Sequence, residues 1–151
     1  MIKPDMLKEQ VLLQDLDKGG LERVAKIANL VTIKKGEQLF KEKDGTRGLW
    51  MIQSGKIEIS RVTADGWRQT LVVLPHGHFF GELSILENRH HVATAVALED
   101  TELILIPKED FDRMMEEDCA LAFNIVKRIA IVMSKNLRRM NDKFLSALIS
   151  Y

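Results

Sequence analysis

The spacing of apolar residues changes near position 30. Over residues 4–30, leucine, valine and isoleucine recur at three- and four-residue intervals, which predicts helices interrupted at Gly19-Gly20. From residue 31 onwards the apolar runs are short, rich in β-branched side chains and separated by turns that contain glycine. Strands are predicted at 31–33, 38–40, 49–52, 57–62, 70–74, 92–97 and 103–106.

Short strands with regularly spaced glycine turns are typical of a β-sandwich or a barrel of jelly-roll type. The predicted fold is therefore mainly β with flanking helices. It is a jelly-roll β-barrel, or double-stranded β-helix, with eight strands. We expect a single domain over residues 1–151, with N-terminal helices at 1–30, the barrel at 31–107 and C-terminal helices at 108–151.

The C-terminal region is predicted to contain two helices. Pro107 suits a first helical turn, where no N–H is needed. Phe111, Met114 and Met115 are expected to pack on the barrel, and the helical register breaks near Asp118. A long helix then carries an apolar stripe with steps of four and three residues: Val126, Ala130, Met133, Leu137, Met140, Phe144, Leu148 and Tyr151.

This stripe has two interpretations, because its steps are close to a heptad repeat. The helix either docks on its own barrel or pairs with a second copy in a coiled coil. A helix of this length extends beyond a small barrel, so its distal half needs another partner. The pattern therefore favours a homodimer.

Composition limits the classes of function. The chain has 151 residues, 46% of them hydrophobic and 29% charged, which indicates a globular domain with a core. Lys+Arg and Asp+Glu are both 22, so no direct DNA binding is expected. The single cysteine, Cys119, forms no disulfide framework within one chain. The sequence shows no signal peptide and no membrane-length apolar run, which predicts a cytoplasmic protein without membrane contact.

The segment 75–95 carries the clearest chemical pattern. A glycine turn leads into Phe80-Gly81-Glu82-Leu83, followed by a helix-compatible run and a strand start of small residues. Glycine permits close approach to a ligand, and a first helical turn offers unpaired N–H groups to an anion. A carboxylate at Glu82 is placed to accept a hydrogen bond from a sugar hydroxyl.

Phe80, Gly81, Glu82, Leu83, Ala93 and Thr94 resemble the phosphate-binding cassette of the cyclic nucleotide-binding domain family, of the cAMP receptor protein and protein kinase A regulatory subunit type. The cassette is placed at 80–94. Glycines at 36, 55, 66, 77 and 81 also match turn positions of the family, so the resemblance covers the chain. It implies a regulatory module in signal transduction that binds cAMP or cGMP, catalyses no reaction and needs no cofactor or metal.

Nothing follows the long helix that could form a helix-turn-helix domain. The expectation is therefore a stand-alone ligand module that acts through a separate effector protein.

The resemblance implies ligand-binding roles at several positions. Glu82 would accept from the ribose 2′-hydroxyl, and Gly81, Leu83, Ser84 and Ala93 would present backbone N–H groups. Val92 lies among them in the cassette. The Thr94 hydroxyl is either a further contact or a structural feature of the strand start.

One position departs from the family pattern. The phosphate-binding arginine of the family falls on His91, which lacks the planar, permanently charged fork of arginine. We therefore expect weakened binding of cAMP or cGMP. Arg89 either substitutes for the arginine or is an exposed loop charge. On the long helix, Asn136 either caps the base or belongs to the polar face.

Two alternatives remain open. The string His76-Gly77-His78 with Glu82 resembles the first metal motif of cupins, with His90 or His91 as a third histidine ligand, and would make the protein a metal-dependent enzyme. Against it, position 70 is threonine where that motif has glycine, and the Pro-x-Gly turn of the second motif is missing. The other alternative is a barrel without ligand that serves as a dimerisation scaffold.

Overall fold

The computed structural model describes residues 2–149. Two 3-10 helices at Pro4–Leu7 and Val11–Leu13 precede α1 at Lys18–Ile27. The strands are β1 Asn29–Ile33, β2 Gln38–Phe40, β3 Gly48–Ser54, β4 Ile57–Val62, β5 Arg68–Leu74, β6 Phe79–Phe80, β7 Thr94–Ala97 and β8 Thr101–Pro107. The remaining helices are α2 Glu82–Leu86, α3 Lys108–Glu117 and α4 Cys119–Ile149.

The N-terminal region differs in detail from the prediction. Asp17 caps α1, because its side chain accepts a hydrogen bond of 2.8 Å from the backbone N–H of Gly20. Gly19 and Gly20 therefore lie in the first turn of α1, and the predicted interruption at this pair is wrong. The segment before Asp17 forms 3-10 turns, and β1 already begins at Asn29.

The eight strands form two antiparallel sheets of four, in the orders β1-β8-β3-β6 and β2-β7-β4-β5. The predicted jelly roll is thereby confirmed. The glycines at 36, 55, 66, 77 and 81 all have positive φ, as their turns require. The sequence pattern missed β6, where Phe79 and Phe80 pair with Met51 and Trp50, because two residues are too few to show a period.

Alternating residues of β3 separate two hydrophobic clusters. Leu49 and Met51 face the cluster that includes the helices, whereas Trp50 and Ile52 face the barrel interior. The helix-side cluster also contains Ile85 of α2 and Phe111 of α3. The short helix of the cassette is thus packed into the same core as the C-terminal helices.

The two C-terminal helices meet at Asp118, as predicted. Phe111 and Met114 are buried and Met115 is partly buried against the helix-side cluster. The first part of α4 is held by Arg128, whose Nη2 lies 2.7 Å from Oδ2 of Asp15. Beyond Val132 every described residue of α4 is exposed. Tyr151, predicted as the last residue of the stripe, lies outside the described residues.

Over residues 2–149, no helix combines the length and the apolar character needed to cross a bilayer.

Candidate ligand-binding site

The cassette begins at a turn that only glycine adopts without strain. Gly81 precedes α2 with φ +85°, in the left-handed region. A Cβ at this position would lie 3.2 Å from the carbonyl oxygen of Gly48 and 3.3 Å from Cδ1 of Trp50. Gly81 therefore allows the cassette to approach β3 closely.

Glu82 is the first residue of α2, and it carries an unusual carboxyl group. Burial raises its pKa, and a hydrogen bond from its own backbone N–H opposes that shift. No positively charged side chain among residues 2–149 forms an ion pair with it. A partly buried carboxylate without a cation is placed to accept a hydrogen bond from a ligand hydroxyl.

The cassette has backbone N–H groups near both of its ends that are free to donate a hydrogen bond. The N–H groups of Leu83, Ser84, Val92 and Ala93 donate to no acceptor within residues 2–149. Ala93 is buried, with 7% of its surface accessible. Thr94 has a structural role, because its Oγ1 accepts a hydrogen bond of 3.3 Å from the N–H of Glu42.

His91 is a buried member of an aromatic cluster. Its ring is stacked on Phe40, with 3.5 Å between centroids and an interplanar angle of 7°. Its Nδ1 lies 2.9 Å from Oγ of Ser84, at hydrogen-bond distance. Burial lowers the pKa of the imidazole, and the charge of Asp44 acts weakly against this. The imidazole of His91 is thus held by two neighbours, and its burial disfavours the protonated form.

Phe40, Trp50 and Phe80 were not among the predicted site residues. Trp50 is stacked on Phe80 at 6.3 Å, and Phe40 lies 6.0 Å from Phe80. Nε1 of Trp50 is buried and has no hydrogen-bond partner within residues 2–149. Alternation along the β3 segment indicates which face Trp50 occupies. The pairing of Phe40 with His91 depends on chain closure and left no signal in the sequence.

The two remaining candidates do not bring their side chains to Glu82 or His91, although the N–H of Arg89 donates to the carbonyl oxygen of Ser84 at 3.0 Å. Arg89 is exposed, and its Nη1 lies 3.0 Å from Oε2 of Glu87. Asn136 is exposed on α4, where its Oδ1 accepts a hydrogen bond of 2.7 Å from Nη2 of Arg139. Within residues 2–149, no hydrogen bond, ion pair or ring contact joins Arg89 or Asn136 to Glu82 or His91.

The metal alternative receives no support from the geometry. His76 and His78 are exposed, and Nε2 of His76 lies 3.7 Å from Oε2 of Glu9 rather than near Glu82. Within the described part of the chain, no three His, Cys, Asp or Glu side chains are close enough to hold a metal ion. The histidines predicted for a cupin motif are therefore not brought together.

Comparison with known proteins identifies the class. Residues 30–118, well over half of the chain, match the cyclic nucleotide-binding domain. The chain belongs to this family and is a regulatory cyclic nucleotide-binding domain.

The relatives include bacterial and eukaryotic proteins. The cyclic AMP receptor protein of Thermus thermophilus is 33% identical over 96 residues, which is 64% of this chain and 44% of the relative. The crystal structure of the Thermus thermophilus catabolite activator protein superposes with a TM-score of 0.77 at 25% identity, over 89% of this chain and 62% of that one.

A eukaryotic complex shows the same fold. The regulatory domain of Toxoplasma gondii PKA, crystallised with cAMP, superposes with a TM-score of 0.66 at 26% identity, over 73% of this chain and 42% of that one. The chain spans about half the length of the curated bacterial relatives it matches.

Proposed function

We propose that this protein is a cyclic nucleotide sensor that binds cAMP or cGMP in its cassette, catalyses no reaction and transmits occupancy to a separate effector protein. The observation that carries the proposal is the partly buried Glu82 carboxyl, which has no ion-pair partner among residues 2–149 and adjoins backbone N–H groups that have no acceptor there. Relatives whose names and structures include cAMP support the choice of ligand. The free thiol of Cys119 accords with the predicted cytoplasmic location.

The affinity is expected to be lower than in relatives with an arginine at the position of His91. A charge-assisted hydrogen bond contributes ~1.5–3 kcal/mol, so its loss weakens binding roughly 10- to 150-fold. In this chain the imidazole is also held by Ser84 and Phe40 rather than free to meet a phosphate.

Calorimetric titration of wild type and His91→Arg with cAMP and cGMP tests this function. His91→Arg should tighten binding by about tenfold or more, because it restores a permanent charge next to the phosphate. Equal affinity of the two proteins would show that position 91 does not pair with the phosphate. Absence of any heat with both nucleotides at millimolar concentration would rule out the sensor.

A scaffold that binds no nucleotide is the second candidate, and one observation favours it. The Phe40–His91 stack and the Ser84–His91 contact fill the place where the family has a ligand-pairing arginine. The same titration separates the two candidates, since a scaffold remains silent with His91→Arg as well.

Both candidates include a homodimer through α4. Met133, Leu137, Met140 and Phe144 are all exposed, with 59% and 64% of Leu137 and Met140 accessible. A stripe of large apolar side chains on one face of a helix is normally covered by a partner. The heptad-like spacing points to the same helix of a second copy.

A further inference from the structure

Arg47 lies in a loop that is hydrogen-bonded to His91 of the cassette and leads into Gly48, which lies close to Gly81. The loop joins β2 to β3. At one end, the N–H of His91 donates to the carbonyl oxygen of Asp44 at 2.9 Å, and the N–H of Lys43 donates to that of His91 at 2.8 Å. At the other end, the carbonyl oxygen of Gly48 lies 3.2 Å from the place of a Cβ on Gly81. The carbonyl oxygen of Arg47 accepts a hydrogen bond of 3.0 Å from the N–H of Lys108, which holds this end of the loop beside Gly48.

The side chain of Arg47 is directed over an aromatic ring of the site. Its guanidinium carbon lies 5.2 Å from the ring centre of Trp50. Cδ1 of Trp50 is in turn 3.3 Å from the place of a Cβ on Gly81. The indole is therefore a shared neighbour of Arg47 and of Gly81 in the cassette.

Arg47 also differs from the other basic side chains considered for pairing with a phosphate, because it forms no ion pair within residues 2–149. It is exposed, and no carboxylate of residues 2–149 forms an ion pair with it. Arg89 is paired with Glu87, and His91 is held by Ser84 and Phe40. A guanidinium that is positioned by a ring but has no anionic partner is available to a ligand.

We propose that Arg47 supplies the positive charge that pairs with the phosphate of a nucleotide bound in this cassette. The inference rests on the proposed function, because it needs a phosphate-bearing ligand in the site. A guanidinium matches two phosphate oxygens, and its contact with Trp50 reduces the freedom that binding would remove. The charge that the family places within the cassette would here come from the β2–β3 loop.

The test compares cAMP with adenosine, which has the same base and a ribose but no phosphate. Arg47→Gln should weaken cAMP binding by about tenfold or more and leave adenosine affinity within about twofold. Lys43→Gln is the matched control, since it removes one charge from the same loop without the contact to Trp50, and its cAMP affinity should change less than about threefold. Arg47→Lys should retain part of the affinity, because a point charge replaces the fork.

The possible results distinguish a failure of the role of Arg47 from a failure of the proposed function. Tight cAMP binding by Arg47→Gln overturns the role of Arg47 and leaves the proposed function intact. Equal losses for cAMP and adenosine overturn it too, because they indicate a disturbed site, which near-UV circular dichroism of the adjacent Trp50 would also reveal. Loss of cAMP affinity in Arg89→Gln but not in Arg47→Gln assigns the charge to Arg89. A wild type that binds neither cAMP nor cGMP refutes the proposed function itself, and this inference with it.

Discussion

His91 links the site to the stability of the barrel. The buried ring binds a proton less readily in the folded state than in the unfolded chain, because burial lowers its pKa. Its contribution to stability is therefore complete above its usual pKa of about 6.5 and is lost as the pH falls below that value. The charge of Asp44 acts to raise the pKa of His91, which reduces this loss of stability without reversing it.

At the residue scale, we predict that the free energy of unfolding decreases between pH 7.5 and pH 5.5 and that His91→Phe makes this decrease smaller. Phenylalanine preserves the stack on Phe40 but has no proton to bind. Urea unfolding at the two pH values measures the difference. His90→Phe is the control, because His90 is the exposed neighbour and its replacement should leave the pH dependence in place. Identical pH dependence in wild type and His91→Phe would contradict the prediction.

At the scale of elements, α4 has two halves with different surroundings. Leu121, Ile125 and Ile129 belong to the helix-side cluster of the core. Every described residue of the distal half, from Met133 onwards, is exposed. Isolated helices are marginal in water, so a partner along this half would stabilise it.

We predict that Leu137→Asp combined with Met140→Asp converts a homodimer into a folded monomer. Each buried leucine or methionine contributes ~1.5–3 kcal/mol. In the variant each copy loses two of these side chains and gains two carboxylates, so a dimer would have to bury four charges. Sedimentation velocity at increasing concentration measures the association. Arg138→Asp with Arg139→Asp is the control, because it introduces the same carboxylates beside the stripe. A wild type that sediments as a monomer at high micromolar concentration would refute the dimer.

At the scale of the whole molecule, one cluster of buried side chains connects the cassette with α4. Ile85 of α2, Phe111 and Met114 of α3, and Ile125 and Ile129 of α4 all belong to it. Leu83 and Leu86 flank Ile85 but are 39% and 43% exposed. A ligand that draws these two leucines inward would move Ile85 against α3 and thereby change the packing of α4.

We predict that saturating cAMP changes hydrogen exchange in α3 and in α4. A ligand shifts such an equilibrium only by its difference in affinity for the two states. With a weakened phosphate contact we expect a coupling of ~1 kcal/mol, equivalent to about a fivefold change in exchange rate. Mass spectrometry with and without cAMP measures it, and β1 serves as the internal reference. Unchanged exchange in α3 and α4 at proven saturation would favour an effector that contacts the barrel surface directly.

The local features of this protein could be predicted from its amino-acid sequence alone. Short β-branched runs and glycine turns specify strands and reversals, because both depend on the conformational preferences of a few neighbouring residues. Gly81 and Glu82 were predicted as site residues because they stand side by side in the motif that resembles the family cassette. The apolar stripe of α4 was also visible, because a helix repeats every 3.6 residues.

The contacts between residues distant in the chain could not be predicted in this way. Phe40 stacks on His91 across 51 positions of sequence, and Arg47 approaches Gly81 through Trp50. Such contacts arise from the closure of two sheets into a barrel, and neither periodicity nor spacing encodes them. The burial of His91 has the same origin, because it is a property of the closed barrel and not of the segment.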